Sequence, residues 1–322
     1  MSLLRLLLAA FALGLLGPAA PALAQSEPVG PVKVLIGFPP GGPPDLVLRK
    51  ISARLAEQLG SSVTVENRPG ASGVIAASAV ARSAPDGRTL LFGVAANLAV
   101  APASSKTPPY DATKAFSPIA EVARGPYVLL VRSDAPATTF GEFVAWAKAN
   151  PGKLNYASPG NASVHHIAIE ILKLSSGLDL VHVPYRTSLY APLLAGQVQV
   201  MFDSLPGPLP YLEDGKLRAL AVTGTRRLSR LPAVPTLAEL GVKDMDLNSW
   251  WGFVGPAGMP PARVSQLHAA IRQAMADPEL GATMASWGIE LSAGSSDDFG
   301  RYIAHENARW KAQVSRIGLT LE

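Results

Sequence analysis

The sequence predicts an α/β protein of two lobes, each built on a mostly parallel sheet flanked by helices. Three observations lead there. Short β-branched runs alternate with helix-period segments, the pattern of parallel βαβ units. The alternation closes a first set of units near Phe92 and restarts at Tyr127. Past Trp250-Trp251 three helical segments follow, a tail that returns to complete the first lobe. The chain has 322 residues, long enough for about two domains. The reading is residues 1–24 as a signal peptide, 25–124 and 225–322 as lobe one, and 125–224 as lobe two.

The elements justify themselves in order. Arg5 supplies a positive n-region and Leu6 to Leu16 an apolar run of secretory length, broken by Gly17-Pro18. Ala22-Leu23-Ala24 offers small residues where a signal peptidase reads, so cleavage is expected after Ala24. A membrane anchor is the alternative, but the run is shorter than the ~20 residues that span a bilayer. Val32–Ile36 reads as the first strand, followed by the loop GFPPGGPPD. Leu48, Ile51, Leu55 and Leu59 recur at helical spacing up to Gly60. Val63–Val65 and Thr89–Phe92 are the next strands, and the small residues from Gly70 to Ala77 suggest a helix packed close to the sheet.

The second set begins with the strand Tyr127–Val131. Thr139 and Glu142 form a capping box for a helix that stops before Asn150-Pro151-Gly152. The strand Leu154–Tyr156 enters the loop SPGNAS, and a helix follows with Ile167, Ile171 and Leu174 on one face. Leu180–Val183, Val198–Phe202 and Leu217–Val222 are further strands. Of the tail helices, one follows Pro260-Pro261 and one opens at Asp277-Pro278, with Asp as N-cap and Pro in first position. The last starts near Ser295 and turns Phe299, Ile303, Trp310, Val314 and Ile317 inward.

Composition narrows the function. Apolar residues are 48% and charged residues 16%, which excludes a disordered or coiled-coil chain. The formal net charge is +4 with no Lys/Arg-rich run, so nucleic acid is not a partner. There is no cysteine, which removes disulfides, thiolate metal sites and cysteine nucleophiles together. GFPPGG lacks the lysine of a phosphate-binding loop, because Pro43 stands in its place. No G-x-S-x-G elbow and no G-x-G-x-x-G after a strand occurs, and the five histidines show no H-E-x-x-H spacing. No metal and no cofactor are therefore expected. Ligands of open parallel sheets bind beyond the carboxyl ends of the strands. Two glycine-bearing loops stand there, one around Gly41-Gly42 and one from Ser158 to Ser163, each feeding a helix N-terminus that favours an anion. Such loops are also ordinary α/β turns.

In order and spacing, the strings GFPPGGPPDLVLR, VENRPGASG, PDGRTLLFG, YASPGNASVHHIAIE, HVPYR, GQVQVMFD, GKLRALAVTG, VPTLAELG, WWGFVGPAGMPP and ENARW resemble the Bug family of periplasmic solute-binding receptors. That family is the binding component of tripartite tricarboxylate transporters. The likeness runs from Val32 to Gly318. It implies the two-lobed periplasmic-binding-protein fold, a small carboxylate held between the lobes, a closed form that docks on membrane transporter subunits, a monomer, and a periplasmic location. Carried onto this chain, it implies a first-lobe clamp of Phe38, Gly41, Gly42 and Asp45. The second-lobe clamp would be Ser158, Asn161, Ala162 and Ser163, with His166 behind and Tyr185 and Asp203 on the wall. Asp45 has the alternative of capping its own helix, and Asp203 that of a cap or hinge residue. Glu66, Asn67, Arg68, Asp86 and Trp310 read as structural.

The chain departs from the family pattern at Pro43-Pro44, where a hydroxyl residue is frequent, at Ala162, and at Thr187. Proline has no N–H to give. Neither clamp loop contains Lys or Arg, and Val94, Ala95 and Ala96 make the far end apolar. These features favour a monocarboxylate, or an aromatic or branched one, over a tricarboxylate. Two other classes compete with an uptake receptor: a sensory ligand-binding protein, which the sequence does not separate from it, and a secreted α/β enzyme, for which no nucleophile–base pair is present.

Overall fold

The computed structural model describes residues 30–161 and 163–318. The expected leader and Ala162 lie outside those residues. The first lobe opens with β1 (Val32–Ile36), α1 (Pro43–Leu59), β2 (Val63–Asn67), α2 (Val74–Ala81) and β3 (Thr89–Val94). Both β2 and β3 pair parallel to β1. Helix α1 forms where Val47, Leu48, Ile51 and Leu55 fall on one buried face, and it ends at Gly60, whose φ of 57° suits a left-handed cap. The β1–α1 turn lies hard against the start of α2. A Cβ on Gly37 would stand 2.3 Å from the Gly73 Cα, so both positions must stay bare.

After a π-helical turn (Ala96–Val100) and the short helix α3 (Ala101–Ser104), the chain enters β4 (Phe116–Arg132), a 17-residue strand shared by both lobes. Its first part pairs antiparallel with β9 (Asn248–Pro256), from Phe116↔Pro256 to Pro126↔Asn248. Its second part pairs antiparallel with β7 (Val200–Ser204) and β8 (Leu217–Val222). The second lobe adds α4 (Phe140–Ala149), β5 (Leu154–Ser158), α5 (Val164–Ser176), β6 (Leu180–Pro184), and the short helices α6 (Tyr190–Leu194) and α7 (Leu209–Glu213). Strand β5 runs parallel to β6 and β7. The tail consists of α8 (Pro261–Met275), α9 (Pro278–Ser286), β10 (Glu290–Leu291) and α10 (Ser296–Arg316), with β10 pairing to β4 in the first sheet.

The two-lobed α/β expectation holds, with one amendment to the sheets. They are parallel at β2-β1-β3 and β7-β5-β6, but every pairing made by β4 or β9 is antiparallel. The cause is the crossover: the chain leaves the first lobe along β4 and comes back along β9, so the two strands lie side by side in opposite directions. Leu174 is a second amendment. It is 65% exposed, while Ile167 and Ile171 of the same helix are buried. In α10 the buried residues are Phe299, Ile303, Glu306, Trp310 and Val314. Glu306 is the acceptor at the centre of that face. It takes hydrogen bonds from the indole N–H of Trp250 (3.2 Å) and of Trp310 (3.1 Å), and from the Arg309 guanidinium (2.7 and 2.9 Å). The tail is thereby fixed to the crossover strand β9.

Candidate functional site

A cavity of about 500 Å³ lies between the lobes, beyond the carboxyl ends of β1, β3 and β7. The first lobe supplies Phe38, the run Pro39 to Pro44, Leu46, and Val94 to Ala96. The second supplies Pro159, Val164, His165, Tyr190 and Asp203. The crossover strands add Tyr127, Ser249, Trp250 and Trp251. The lobes also touch. Ser72 of the first donates its hydroxyl to the Asn161 carbonyl of the second at 2.8 Å. Ser72 has φ 53° and ψ 32° and Ala71 has φ 47°, so two consecutive non-glycine residues sit in the left-handed region to aim that hydroxyl. Nearby, a Cβ on Gly207 would lie 1.9 Å from the Tyr190 hydroxyl and 3.0 Å from Pro43 of the opposite lobe.

On the first lobe, Phe38, Gly41 and Gly42 line the cavity and Asp45 does not. Asp45 is buried beneath the loop. It accepts from the Gly41 N–H (3.0 Å), Arg49 Nε (2.9 Å) and Asn67 Nδ2 (2.9 Å). Burial pushes its pKa up, but the Arg49, Gly41 and Asn67 donors outweigh that and hold it below the usual carboxylate value. Asn67 also donates to the Phe38 carbonyl at 3.0 Å. Asp45 is thus a brace for the loop, and the Gly41 N–H is committed to it. Gly42 is the N-cap of α1, and Pro43 and Pro44 in the first turn bring no N–H. This lobe therefore offers mainly apolar surface.

On the second lobe, Asp203 lines the cavity, while Ser158, Asn161, Ser163 and Tyr185 do not. Ser163 is the N-cap of α5. Its hydroxyl accepts from the His166 N–H at 3.2 Å and donates to the Gly160 carbonyl at 2.8 Å. The Ser158 hydroxyl meets His182 Nε2 at 2.6 Å and accepts from the Gly160 N–H at 3.1 Å. Tyr185 packs beside the second-lobe core, and its N–H donates to the Ser158 carbonyl at 2.8 Å. His166 stacks on His182 with ring centres 4.1 Å apart, and Tyr156 stacks on His182 at 4.9 Å. Burial first, then the neighbouring His166, pushes the His182 imidazole down to about 4. Burial also lowers His166.

These residues hold the 158–163 loop from behind. What the loop turns toward the cavity is the first turn of α5, Val164 and His165, at the end of a helix where N–H groups have no intrahelical acceptor. His165, Tyr127, Tyr190, Trp250 and Trp251 were not singled out by the sequence. His165 was in reach, because it stands beside the expected His166 on the first turn, where one residue is a rotation of about 100°. The Tyr190–Asp203 pair carries no signal, since the two meet only through the packing of α6 on β7.

The sequence pattern of the tripartite tricarboxylate transporter family receptor, TctC, matches residues 47–319. A protein encoded in the gbd 5′ region of Cupriavidus necator is 36% identical over 310 residues, covering 96% of this chain and 94% of the relative. BugT of Bordetella pertussis is 32% identical over 309 residues, covering 95% of each. A periplasmic transporter structure superposes with a TM-score of 0.89 at 34% identity, covering 92% of this chain and 100% of the other. Rpa4515 of Rhodopseudomonas palustris with adipate gives 0.87 at 32%, covering 92% and 99%. MatC of the same organism with bound malate gives 0.85 at 31%, covering 89% and 99%. With the two lobes, the interlobe cavity and a match over most of its length, the chain belongs to the tripartite tricarboxylate transporter receptor family.

Proposed function

We propose that the protein captures a small carboxylate in the interlobe cavity and delivers it, in the closed form, to the membrane subunits of a tripartite tricarboxylate-type transporter. The observation that carries this reading is the cavity of about 500 Å³ between lobes that already touch through Ser72 and Asn161. The malate and adipate held by two of its structural neighbours support the ligand class. The lobes are residues 25–124 with 225–322, and 125–224. The protein works as a periplasmic monomer, without a cofactor and without catalysis, after cleavage behind Ala24.

Phe38, Gly41, Gly42 and Asp203 contact the ligand directly, joined by His165 and Trp251. The first turn of α5 holds the carboxylate oxygens, since a helix N-terminus presents donors and a partial positive charge. Asp45, Ser158, Asn161 and Ser163 act one layer back, by holding the two loops in place.

The test is native mass spectrometry of the exported protein, followed by a thermal-shift panel of aliphatic, aromatic, amino-acid and tricarboxylic acids and of neutral sugars. Binding to the folded state at a hundredfold excess over Kd stabilises by about 2.7 kcal/mol. At roughly 2–4 °C per kcal/mol for a chain near this size, that is a shift of several degrees. Shifts from sugars alone would overturn the carboxylate reading.

A further inference from the structure

The hydrogen-bonding groups on the cavity wall divide into those already engaged and those that are not. Asp203 is engaged at both oxygens, by the Ser204 N–H (2.8 Å), His165 Nε2 (3.2 Å) and the Tyr190 hydroxyl (2.5 Å). Trp250 gives its indole N–H to Glu306, and the Ser249 hydroxyl donates to the Gly125 carbonyl at 2.9 Å. Tyr127, Ser204 and Trp251 are different. All three line the cavity, and among the described residues the Tyr127 hydroxyl, the Ser204 hydroxyl and the Trp251 indole N–H have no hydrogen-bond partner. The residues are only 5%, 3% and 1% exposed. Their polar atoms are nonetheless not sealed in: the side-chain atoms among the described residues that are both enclosed and unpaired are His165 Nδ1 and Gln313 Oε1. The sliver of surface that each of the three exposes therefore includes its polar atom, and the cavity is where that surface lies.

The backbone sets them at two ends of the cavity floor. Trp251 pairs with Val94 of β3 and with Ala123 of β4, on the first-lobe side. Tyr127 lies four residues beyond Ala123 on β4, about 13 Å at the rise of an extended strand. There it pairs with Ser204 of β7, and its ring meets His165, on the first turn of α5, edge-on at 5.2 Å. Its N–H donates to Thr223 Oγ1 and its carbonyl accepts from the Thr223 N–H, both at 2.8 Å, so the residue is held rigidly. Burial first, then Asp203 and Glu306, push its hydroxyl pKa up, so it keeps its proton and can donate.

Resting on the receptor reading above, we propose that Tyr127, Ser204 and Trp251 are specificity-determining residues of this cavity. The Tyr127 and Ser204 hydroxyls join the first turn of α5 in holding the ligand carboxylate, and the Trp251 N–H takes an oxygen acceptor at the ligand's other end. The ligand is thus a carboxylate with a hydroxyl, carbonyl or carboxylate oxygen at its far end. An indole N–H is a donor only, so it is satisfied by an acceptor and by nothing else. An alkyl end would cover that N–H and leave it unpaired, which is how a site built around a donor rejects the analogue that lacks the acceptor. The span fits: a sphere of the cavity's volume is roughly 10 Å across, and the two side chains reach into it from backbone positions only slightly further apart. Among the described residues that line the cavity there is no Lys or Arg, so neutral donors are what this wall has to give.

The test uses pairs of acids matched in shape, one with an alkyl end and one with an acceptor end: heptanoate against ω-hydroxyhexanoate, and para-isopropylbenzoate against para-acetylbenzoate. Adipate and terephthalate report the charged acceptor. Affinities are measured by calorimetry on the exported protein and on Trp251→Phe, Tyr127→Phe and Ser204→Ala, with circular dichroism as the check on folding. The parent is expected to bind the acceptor-ended member of at least one pair about tenfold or more tightly than its alkyl-ended partner. Trp251→Phe keeps a ring and removes the N–H, so the preference should fall to about twofold or less. Tyr127→Phe and Ser204→Ala act at the carboxylate end, so each should weaken both members of a pair alike, about threefold or more, and leave the preference in place. A parent without preference in either pair overturns the proposal and leaves the receptor reading intact, and that ranking decides by itself if Trp251→Phe does not fold. A folded Trp251→Phe that keeps the full preference also overturns it, as do folded Tyr127→Phe and Ser204→Ala that both bind at parental affinity. If no acid of any set binds, the receptor reading falls and the assignment of these contacts with it.

Discussion

Replacing Ser72 by Ala removes the one hydroxyl that crosses from the first lobe to the Asn161 carbonyl, at 2.8 Å. Nothing else about the side chain changes, and Ser72 is only 3% exposed, so the loss is confined to that contact. An intramolecular hydrogen bond contributes about 0.5–1.5 kcal/mol net. Because the bond exists only when the lobes meet, that amount is taken from the closed state alone, and the closed-to-open ratio falls roughly 2- to 13-fold. A ligand that binds the closed form then sees a lower competent fraction, and its apparent Kd rises by the same factor at most. Small-angle scattering of the unliganded protein should show a larger radius of gyration for Ser72→Ala, and calorimetry a weaker affinity for the preferred acid. Ala71→Gly is the control. It relieves a residue at φ 47° without touching the hydroxyl, so scattering and affinity should stay at parental values while the melting temperature holds or rises. Identical scattering and identical Kd for a folded Ser72→Ala would refute the latch.

Three further outcomes are expected. Gly42→Val should fold, because its φ of −74° and ψ of 161° suit any residue and a Cβ there meets only Pro39 and Pro44 at 3.6 and 3.9 Å, yet its methyls enter the cavity and should weaken ligand binding at least about tenfold by calorimetry. Glu306→Ala leaves two buried indole N–H groups without their acceptor at about 1–3 kcal/mol each, so the melting temperature should fall by roughly 4–24 °C, with Glu306→Gln losing less; equal midpoints would show that the Trp250–Glu306–Trp310 junction does not fix the tail. His182 is held near 4 when folded and its ordinary value is 6.5, so the unfolded chain takes the proton first: this contribution to stability is present above about pH 6.5 and is lost as pH falls toward 4. A melting-temperature profile should slope downward over that window in the parent and less so in His182→Gln, and parallel profiles would rule the coupling out.

Much of the architecture was legible because burial follows period. The strand at Val32–Ile36 and the capping box at Thr139 stand where the pattern put them. The first part of β4 was hidden because Pro118, Gly125 and Pro126 break the strand signal; register shifts between Pro118 and Ala120 and between Glu121 and Ala123 accommodate the irregularity. The π-helical turn after β3 had no sequence signal because Ala96–Val100 holds a single polar residue, Asn97, and all five residues are buried. At the site, loops were legible and roles were not. A sequence places Asp45 and Ser163 beside the two glycine-bearing loops, but only packing shows that their polar atoms are spent within the protein, Asp45 on Gly41, Arg49 and Asn67 and Ser163 on Gly160 and His166.

That spending has a consequence for recognition. The first-lobe loop uses Asp45 to hold the Gly41 N–H, and the second-lobe loop uses Ser158 and Ser163 to hold Gly160. Loops fixed in advance lose little entropy on binding, which raises affinity without adding a contact. They also withdraw donors from the ligand. Prolines remove two more from α1, so the first turn of α5 is the helix start at the cavity whose N–H groups are not removed by proline. The same hydrogen bonds that make the first-lobe loop rigid thereby leave its face of the cavity mainly apolar.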